Sequence, residues 1–299
     1  MTNLLLYITT VTIWGTSWLG VKFQLGLVAP EVSVAYRFLL SALIMLAICL
    51  IGKSRLRFSL KDHLRIAQQG FFLFSANYCL IYLGTQYLTS GLVAVVFSTV
   101  VIMNLIGGAL VFKTPVEPRV VIGAVIGLAG ITTIFWPEII AFDLAREGSL
   151  GLALCLVGTA SASCGMLTSS SNQKRGIPIM GTNAWGMLYG GMIMTVFAVG
   201  YGSEFNFDFS ARYIWSLLYL AIFASVVGFW CYLTLLGKIG PERASYASVL
   251  FPIVALALST WYEQFVWTIP ALAGVGLVLV GNVFVLMKPA PALKESAQA

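Results

Sequence analysis

The sequence predicts an all-α integral membrane protein in which ten transmembrane helices form two inverted five-helix repeats. Three observations lead to this prediction: an apolar composition, a division of the chain into ten apolar stretches, and a similarity between its two halves. Of the 299 residues, 59% are hydrophobic and 9% are charged, and the mean hydropathy is +0.93. Soluble domains contain about 25% charged residues, so this chain has too little polar surface for a soluble protein.

The apolar stretches have the length of membrane-crossing helices. Each is roughly 18–25 residues long, whereas the strands of a β-barrel would be about 10 residues long and would alternate in character. Proline marks several boundaries, since Pro30, Pro241 and Pro270 precede or begin a stretch. The predicted spans are 4–24, 31–51, 66–86, 89–112, 119–137, 149–171, 180–201, 212–236, 243–262 and 270–287.

The Lys and Arg residues predict the orientation of the chain. With the N-terminus placed in the cytoplasm, 13 of the 17 fall on the cytoplasmic side, three (Lys22, Arg146 and Arg212) fall outside, and Arg37 lies within the second span. This bias predicts cytoplasmic N- and C-termini in a bacterial inner membrane. Because the positive charge serves topology, we expect no nucleic-acid partner despite a pI near 9.1.

The fourth and fifth spans resemble the ninth and tenth. Moving the first pair along by 151 positions places Gly123 on Gly274 and Gly130 on Gly281, and this offset is half of the chain. Two tandem halves with an odd number of spans must have opposite orientations in the membrane, which is typical of transporters whose binding site lies between the halves. The predicted units are a first repeat at 4–137, a second repeat at 149–287 and a cytoplasmic tail at 288–299.

Polar side chains within spans one, three, four and six predict a water-filled cavity, to which the repeat adds span eight. Aromatic pairs at i and i+4, such as Tyr78 with Tyr82, could line a chamber for apolar or planar solutes. Alternatively, a mid-span Asn could bridge two helices, and each aromatic residue could simply pack between helices. The candidate substrate-binding residues are Trp14, Asn77, Tyr78, Tyr82, Ser98, Asn104, Ser163, Trp185, Tyr189, Trp230 and Tyr246.

Arg37 is the basic residue that lies well inside a predicted span, about 10 Å from its start at 1.5 Å per residue. It is a candidate partner for a substrate carboxylate. Alternatively, it extends towards the membrane surface or pairs with Glu31 or Glu263. No carboxylate lies at the middle of a predicted span. We therefore expect facilitated or exchange transport, or coupling through Glu31 or Glu263.

Residues that would indicate a metal or a reaction centre are not grouped in the sequence. The five cysteines lie in apolar runs without a CxxC pair, and His63 is the single histidine, so we expect no disulfide framework, metal or cofactor. Ser169, Ser170 and Ser171 have no histidine nearby that could act as their base. We therefore expect no enzyme activity. The expected partners are a small-molecule substrate and membrane lipids, with the chain as a monomer or weak homodimer.

Short motifs occur in each half of the chain. The first half has Trp14-Gly15 in its opening helix and Arg37-Phe38 in its second, and the second half has Arg243-Ala244-Ser245 followed by Pro252 and Glu263. Over almost the whole chain, this arrangement resembles two copies of the EamA repeat of the drug/metabolite transporter superfamily.

The resemblance implies ten helices, inverted repeats and export of amino acids or other small metabolites across the inner membrane. The nearest kind is the YddG-type exporter of aromatic amino acids. We therefore predict export of small metabolites, foremost aromatic or other neutral amino acids, by alternating access through a central cavity. The alternatives are a multidrug or sugar/nucleotide-sugar transporter of the same fold, or an intramembrane enzyme or membrane scaffold. The first copy departs from the family, with Lys113 in place of an acid and Glu117 displaced.

Overall fold

The structure is a computed structural model that describes residues 2–113, 118–134, 136, 147–239 and 247–286. These residues form ten helical spans and contain no strand. The spans are α1 (Asn3–Phe23), α2 (Pro30–Ile51), α3 (Leu60–Gln69, Gly70–Ala76 and Asn77–Thr85), α4 (Ser90–Ser98 and Val100–Phe112), α5 (Pro118–Ile134), α6 (Glu147–Lys174), α7 (Ile179–Tyr201), α8 (Ala211–Leu218, Tyr219–Val227 and Gly228–Ile239), α9 (Ala247–Tyr262) and α10 (Ile269–Leu286).

Each of the ten predicted spans corresponds to one helix, which confirms the predicted all-α membrane fold. In the described part of the chain, six helices are long and apolar enough to cross a membrane, and three shorter helices are also apolar. Helix α3 begins six residues before its predicted span, because Ser59 Oγ accepts a hydrogen bond from the Asp62 N–H at 3.2 Å and caps an additional polar turn. The predicted tail at 288–299 lies outside the described residues.

The third helix of each half contains a π-helical stretch. The two stretches are Gly70–Ala76 in α3 and Tyr219–Val227 in α8. A π turn shifts the backbone hydrogen-bond register, and in both stretches a neighbouring helix donates to a backbone carbonyl. Ser161 Oγ donates to Phe72 O at 2.9 Å, and Trp14 Nε1 donates to Ala224 O at 3.2 Å. Corresponding helices of the two halves thus share a local irregularity that sequence patterns did not predict.

Helices α5 and α10 pack against each other through the four glycines that the sequence comparison pairs. A Cβ atom on Gly274 would lie 2.5 Å from Gly130 O, and one on Gly281 would lie 2.6 Å from Gly123 O. The residue numbers rise along one helix as they fall along the other, so the helices are antiparallel. Gly130 contacts Gly274, and their counterparts in the other half, Gly281 and Gly123, contact each other in the same way. A twofold relation between the halves requires this correspondence.

Helices α2 and α7, which are the second spans of the two halves, show the same antiparallel pairing. A Cβ atom on Gly191 would lie 2.9 Å from Leu39 Cδ2. Towards one end of the pair, Val32 and Ala198 are buried in a common hydrophobic cluster. Two pairs of corresponding helices therefore run in opposite directions, which is the arrangement that an inverted duplication requires.

The bundle has two distinct faces, which we define by helix α1. The near face is the end at which α1 begins, and the far face is the end at which it finishes. On the far face, Gln24 Nε2 donates to Ser216 Oγ at 3.1 Å, and on the near face Trp185 Nε1 donates to Leu56 O at 3.0 Å. The charge bias predicts that the near face is cytoplasmic.

The close approach of α5 to α10 predicts that replacing Gly274 with alanine destabilises the protein. The added methyl group would meet the backbone of Gly130, which cannot move like a side chain, and overpacking of this kind costs about 1–3 kcal/mol. Gly276→Ala is the matched control on the same helix, because nothing lies within 4 Å of its Cβ position. Thermal unfolding in detergent should show a Tm lower by several degrees for Gly274→Ala only. Equal Tm values for the two variants would contradict the packing.

Candidate functional site

A central cavity lies among helices α1, α2, α3, α4, α6, α8 and α9, and its empty space, including open solvent, amounts to about 590 Å³. The lining residues are Trp14, Ser17, Trp18, Val21, Arg37, Leu73, Asn77, Tyr78, Ile81, Phe97, Met166, Ala224, Phe229 and Phe251.

Arg37 places a guanidinium group on the wall of the central cavity, although its side chain is only 2% exposed. Its Nε donates to Ser225 Oγ at 3.1 Å, and its Nη1 donates to Tyr82 OH at 3.4 Å. The guanidinium carbon also lies 4.5 Å from the ring centroid of Tyr78 and 5.3 Å from that of Phe38, within the range of cation–π attraction. Uncharged groups therefore hold this cation.

In the described part of the chain, Arg37 forms no ion pair with a carboxylate. Glu31 and Glu263, the two acids that could have paired with Arg37, form hydrogen bonds with serines on the far face instead. Glu31 accepts a hydrogen bond from Ser203 Oγ, and Glu263 accepts hydrogen bonds from the Ser90 N–H and hydroxyl groups. The alternatives considered for Arg37, pairing with Glu31 or Glu263 or extension towards the surface, are therefore not those that the structure shows.

Aromatic rings form much of the remaining wall. The Trp18 ring lies 5.1 Å from the Phe97 ring and 5.9 Å from the Phe251 ring, measured between centroids. The Trp14 ring lies 5.4 Å from the Phe229 ring in an edge-to-face arrangement. These spacings are those of favourable aromatic pairs, and the apolar wall that they form suits a flat or hydrophobic ligand group.

Two lining residues have a buried polar atom without a hydrogen-bond partner. They are Trp18, through its indole N–H donor, and Asn77, through its amide Oδ1 acceptor. The Asn77 amide nitrogen donates to Leu73 O at 3.3 Å, which leaves the oxygen as the free end. Buried polar groups of this kind are normally paired, which makes these two residues candidates for a hydrogen bond to a ligand.

A cluster of polar groups ties the helices together on the far face. Lys22 Nζ donates to Thr85 O at 2.7 Å and to Leu88 O at 3.2 Å, at the end of α3. Glu263, just after α9, accepts from the Ser90 N–H at 2.9 Å at the start of α4. The side chains of Lys22 and Glu263 thus hold the connection between α3 and α4 on the far face.

Four of the candidate residues from the sequence come together at the central cavity: Trp14, Arg37, Asn77 and Tyr78. Tyr82 lies directly behind them, fully buried, where its hydroxyl accepts the hydrogen bond from Arg37. Tyr82 therefore supports the guanidinium rather than lining the cavity.

Three polar candidates lie between helices instead. Ser98 accepts a hydrogen bond from Asn282 Nδ2 at 2.9 Å, and Asn104 Nδ2 contacts Met166 Sδ at 3.2 Å. Ser163 is 4% exposed and lies close to the position where a Cβ on Gly107 would be. Each is on a helix that does line the cavity, but the helix rotation turns it towards a neighbouring helix. For Asn104 this is the alternative in which a mid-span Asn bridges two helices.

The aromatic candidates of the second half are also away from the central cavity. Trp185 and Tyr189 pack around His63 at the near face, where the Tyr189 hydroxyl lies 2.8 Å from His63 Nδ1. Trp230 is 41% exposed, because the preceding residue, Phe229, faces the cavity and one residue rotates a helix by about 100°. Tyr246 lies outside the described residues.

The sequence did not identify several of the residues around the cavity, although the helical spacing of one of them, Trp18, was a usable signal. Trp18 lies four residues after Trp14 and therefore on the same helix face, which is the spacing that identified other candidates. Phe97 and Phe251 give no such signal, since they resemble the surrounding apolar residues. Ser225 contacts Arg37 from the π-helical stretch of α8, and its role depends on a contact between distant parts of the chain.

The ten-helix bundle and its central cavity define a multi-pass membrane protein of the transporter class. The model of the EamA-like transporter family matches residues 1–136 and 149–287, and the chain belongs to this family. It is 24% identical to Protein PagO of Salmonella typhimurium over 93% of each chain. It is 27% identical to an uncharacterized transporter of Archaeoglobus fulgidus, over 93% of this chain and 96% of the relative. A solved crystal structure with 15% identity and a TM-score of 0.67 covers 95% of this chain and 96% of its own, which shows the same fold.

The far-face cluster predicts that Glu263→Ala destabilises the protein. The substitution leaves the Ser90 N–H and hydroxyl groups without their acceptor, and hydrogen bonds to charged groups contribute about 1.5–3 kcal/mol. Glu204→Ala is the matched control, because Glu204 is an exposed acid at the same face. We expect thermal unfolding to show a lower Tm for Glu263→Ala and an unchanged Tm for Glu204→Ala. An unchanged Tm for both would show that the cluster contributes little.

Proposed function

We propose that this protein exports small amphipathic carboxylates, foremost neutral and aromatic amino acids, by alternating access through the central cavity. The observation that supports this most is the Arg37 guanidinium, which lies buried on the wall of an aromatic-lined cavity without a carboxylate partner among the described residues. A carboxylate ligand would supply the missing counter-charge, and the aromatic wall would hold the apolar part of the ligand.

The chemistry of the guanidinium favours a carboxylate. Arginine presents five N–H donors in a planar fork that matches the two oxygens of a carboxylate. Arg37 uses its Nε and Nη1 groups for Ser225 and Tyr82, and the guanidinium carbon lies 4.5 Å from the Tyr78 ring centroid, so its contacts are with uncharged groups. A buried ion without a partner is expensive, so a ligand that pairs with it gains affinity. By the same reasoning, the cavity disfavours cationic drugs.

Features of the bundle support alternating access. The corresponding helices α5 and α10 are antiparallel, so an exchange of conformations between the two halves would close one face and open the other. The Lys22 and Glu263 contacts tie helices together on the far face, which supports a conformation closed at that end. The charge bias places that face outside the cell, so a cavity that loads from the cytoplasm is consistent with export. We place the protein in the inner membrane with both termini cytoplasmic.

The cavity also supports a mechanism without a dedicated proton relay. No Asp or Glu is among its described lining residues. We therefore propose facilitated or exchange transport, in which the substrate itself neutralises Arg37 while the halves change conformation. A reaction centre has less support, because the hydroxyl of Ser17 in the cavity donates to the Trp14 carbonyl at 2.8 Å and has no base beside it among those residues.

The first transport prediction concerns Arg37→Gln. Removing one partner of a buried charge pair costs about 2–5 kcal/mol, so we expect the half-saturating concentration of phenylalanine in liposome counterflow to rise at least about 30-fold. Arg65→Gln is the control, since Arg65 pairs with Asp62 at the near face and is 37% exposed. Saturable counterflow that is equal in the two folded variants would exclude Arg37 as the carboxylate partner. No counterflow of any carboxylate by the wild-type protein would contradict the proposed function.

The second transport prediction separates the two aromatic clusters. Tyr78 lines the central cavity and covers the Arg37 guanidinium, so Tyr78→Ala should weaken substrate binding by roughly tenfold, which corresponds to about 1.4 kcal/mol. Trp185→Ala removes an even larger ring that lies away from the cavity. Its half-saturating concentration should stay near that of the wild type, although its Tm should fall. If Trp185→Ala weakened substrate binding in counterflow while Tyr78→Ala did not, the substrate would lie beside His63 instead.

A further inference from the structure

We infer that the central cavity recognises the carboxylate of its substrate and not the amine. Small aromatic or apolar monocarboxylates with a neutral polar group beside the carboxylate, such as 2-hydroxy acids and N-acyl amino acids, should therefore bind more tightly than the amino acids of the same side chain. This inference rests on the proposed function, because it concerns the ligand class of the same cavity.

The described lining residues of the cavity carry positive charge only. Arg37 supplies a positive charge, and the described lining residues include no acid. The acids Glu31 and Glu263 are held by hydrogen bonds on the far face, to Ser203 and Ser90. A ligand ammonium group would thus enter a site that already contains a cation, and no described lining residue offers it a negative charge. Placing an unpaired ion in such a site costs several kcal/mol.

The aromatic rings offer an ammonium group little compensation. Cation–π attraction contributes about 0.5–2 kcal/mol, which is less than the desolvation of the ion. The Tyr78 face is already taken by the guanidinium of Arg37, whose carbon lies 4.5 Å from the ring centroid. The Trp18 ring packs between Phe97 and Phe251 at centroid distances of 5.1 and 5.9 Å. The rings near the charged end of a ligand are therefore occupied by their protein neighbours.

The unpartnered polar atoms of the cavity suit a neutral group instead. Asn77 is 2% exposed and its Oδ1 can accept a hydrogen bond from a hydroxyl or an amide N–H. Trp18 Nε1 can donate to a hydroxyl or a carbonyl oxygen. A 2-hydroxy acid provides both functions next to its carboxylate, and an N-acyl amino acid provides an N–H and a carbonyl. Both classes would satisfy Arg37, Asn77 and Trp18 without bringing a second positive charge into the cavity.

The test compares four ligands that share one benzyl side chain. They are 2-hydroxy-3-phenylpropanoate, N-acetylphenylalanine, phenylalanine and phenylalaninamide, which keeps the amine but has no carboxylate. Dissociation constants are measured on the purified full-length protein by calorimetry at neutral pH. We expect the hydroxy acid to bind at least about tenfold more tightly than phenylalanine, a difference of about 1.4 kcal/mol, and we expect no binding of phenylalaninamide. Arg37→Gln should weaken the binding of each carboxylate by at least about 30-fold.

A reciprocal variant makes the test specific. Asn77→Asp is nearly isosteric and brings a negative charge into the cavity. Relative to 2-hydroxy-3-phenylpropanoate, phenylalanine should therefore bind at least about tenfold more tightly to this variant than to the wild type. This readout does not depend on the absolute affinity of a weakened variant. A merely structural role of Asn77 would change both affinities alike and would leave their ratio unchanged.

The outcomes separate the inference from the proposed function. If phenylalanine binds more tightly than the hydroxy acid, the cavity recognises the amine, so the inference fails while the proposed export of amino acids remains. If phenylalaninamide binds as well as phenylalanine, the carboxylate is not recognised and Arg37 has another role. If none of the carboxylates binds to folded protein, both the inference and the proposed function are overturned.

Discussion

The interaction on which the site depends is the burial of one guanidinium group among uncharged partners. Arg37 lies within α2 and is 2% exposed, yet its contacts are a serine hydroxyl, a tyrosine hydroxyl and two aromatic rings. A buried ion of this kind is stable only when hydrogen bonds and polarisable groups surround it. The hydroxyl contacts of Arg37, the support from Tyr82 and the proposed ligand chemistry all follow from this requirement.

The helix packing brings these partners to Arg37. Ser225 belongs to the π-helical stretch of α8, where its hydroxyl also donates to Leu220 O, five residues earlier, at 2.9 Å. The indole of Trp14 donates to the adjacent Ala224 carbonyl and fixes α1 against the same stretch. The irregular part of α8 therefore serves two residues of the cavity at once, which is typical of π turns near functional sites.

The sequence was sufficient for the helices and for part of the cavity. Length and hydropathy determine membrane spans directly, and a buried Arg37, an Asn77 and a Tyr78 are conspicuous against an apolar background. The rotation of each helix was not predictable, because apolar residues surround these spans on all sides. From the sequence alone, Trp230 and Phe229 are therefore equally good candidates for lining the cavity, although only Phe229 does so. The π-helical stretches and the Trp185 contact with Leu56 also depend on distant parts of the chain, so no local pattern encodes them.

The most direct test of the central claim is the chemical reactivity of Arg37 itself. Phenylglyoxal, a small apolar reagent that modifies arginine, would be applied to the purified protein, and modification of each arginine would be followed by peptide mass spectrometry. We expect Arg37 to react through the open cavity and to be protected several-fold by a saturating aromatic carboxylate, whereas the exposed Arg65 should react equally with and without it. If a carboxylate that binds leaves the reaction rate of Arg37 unchanged, the guanidinium does not contact the substrate.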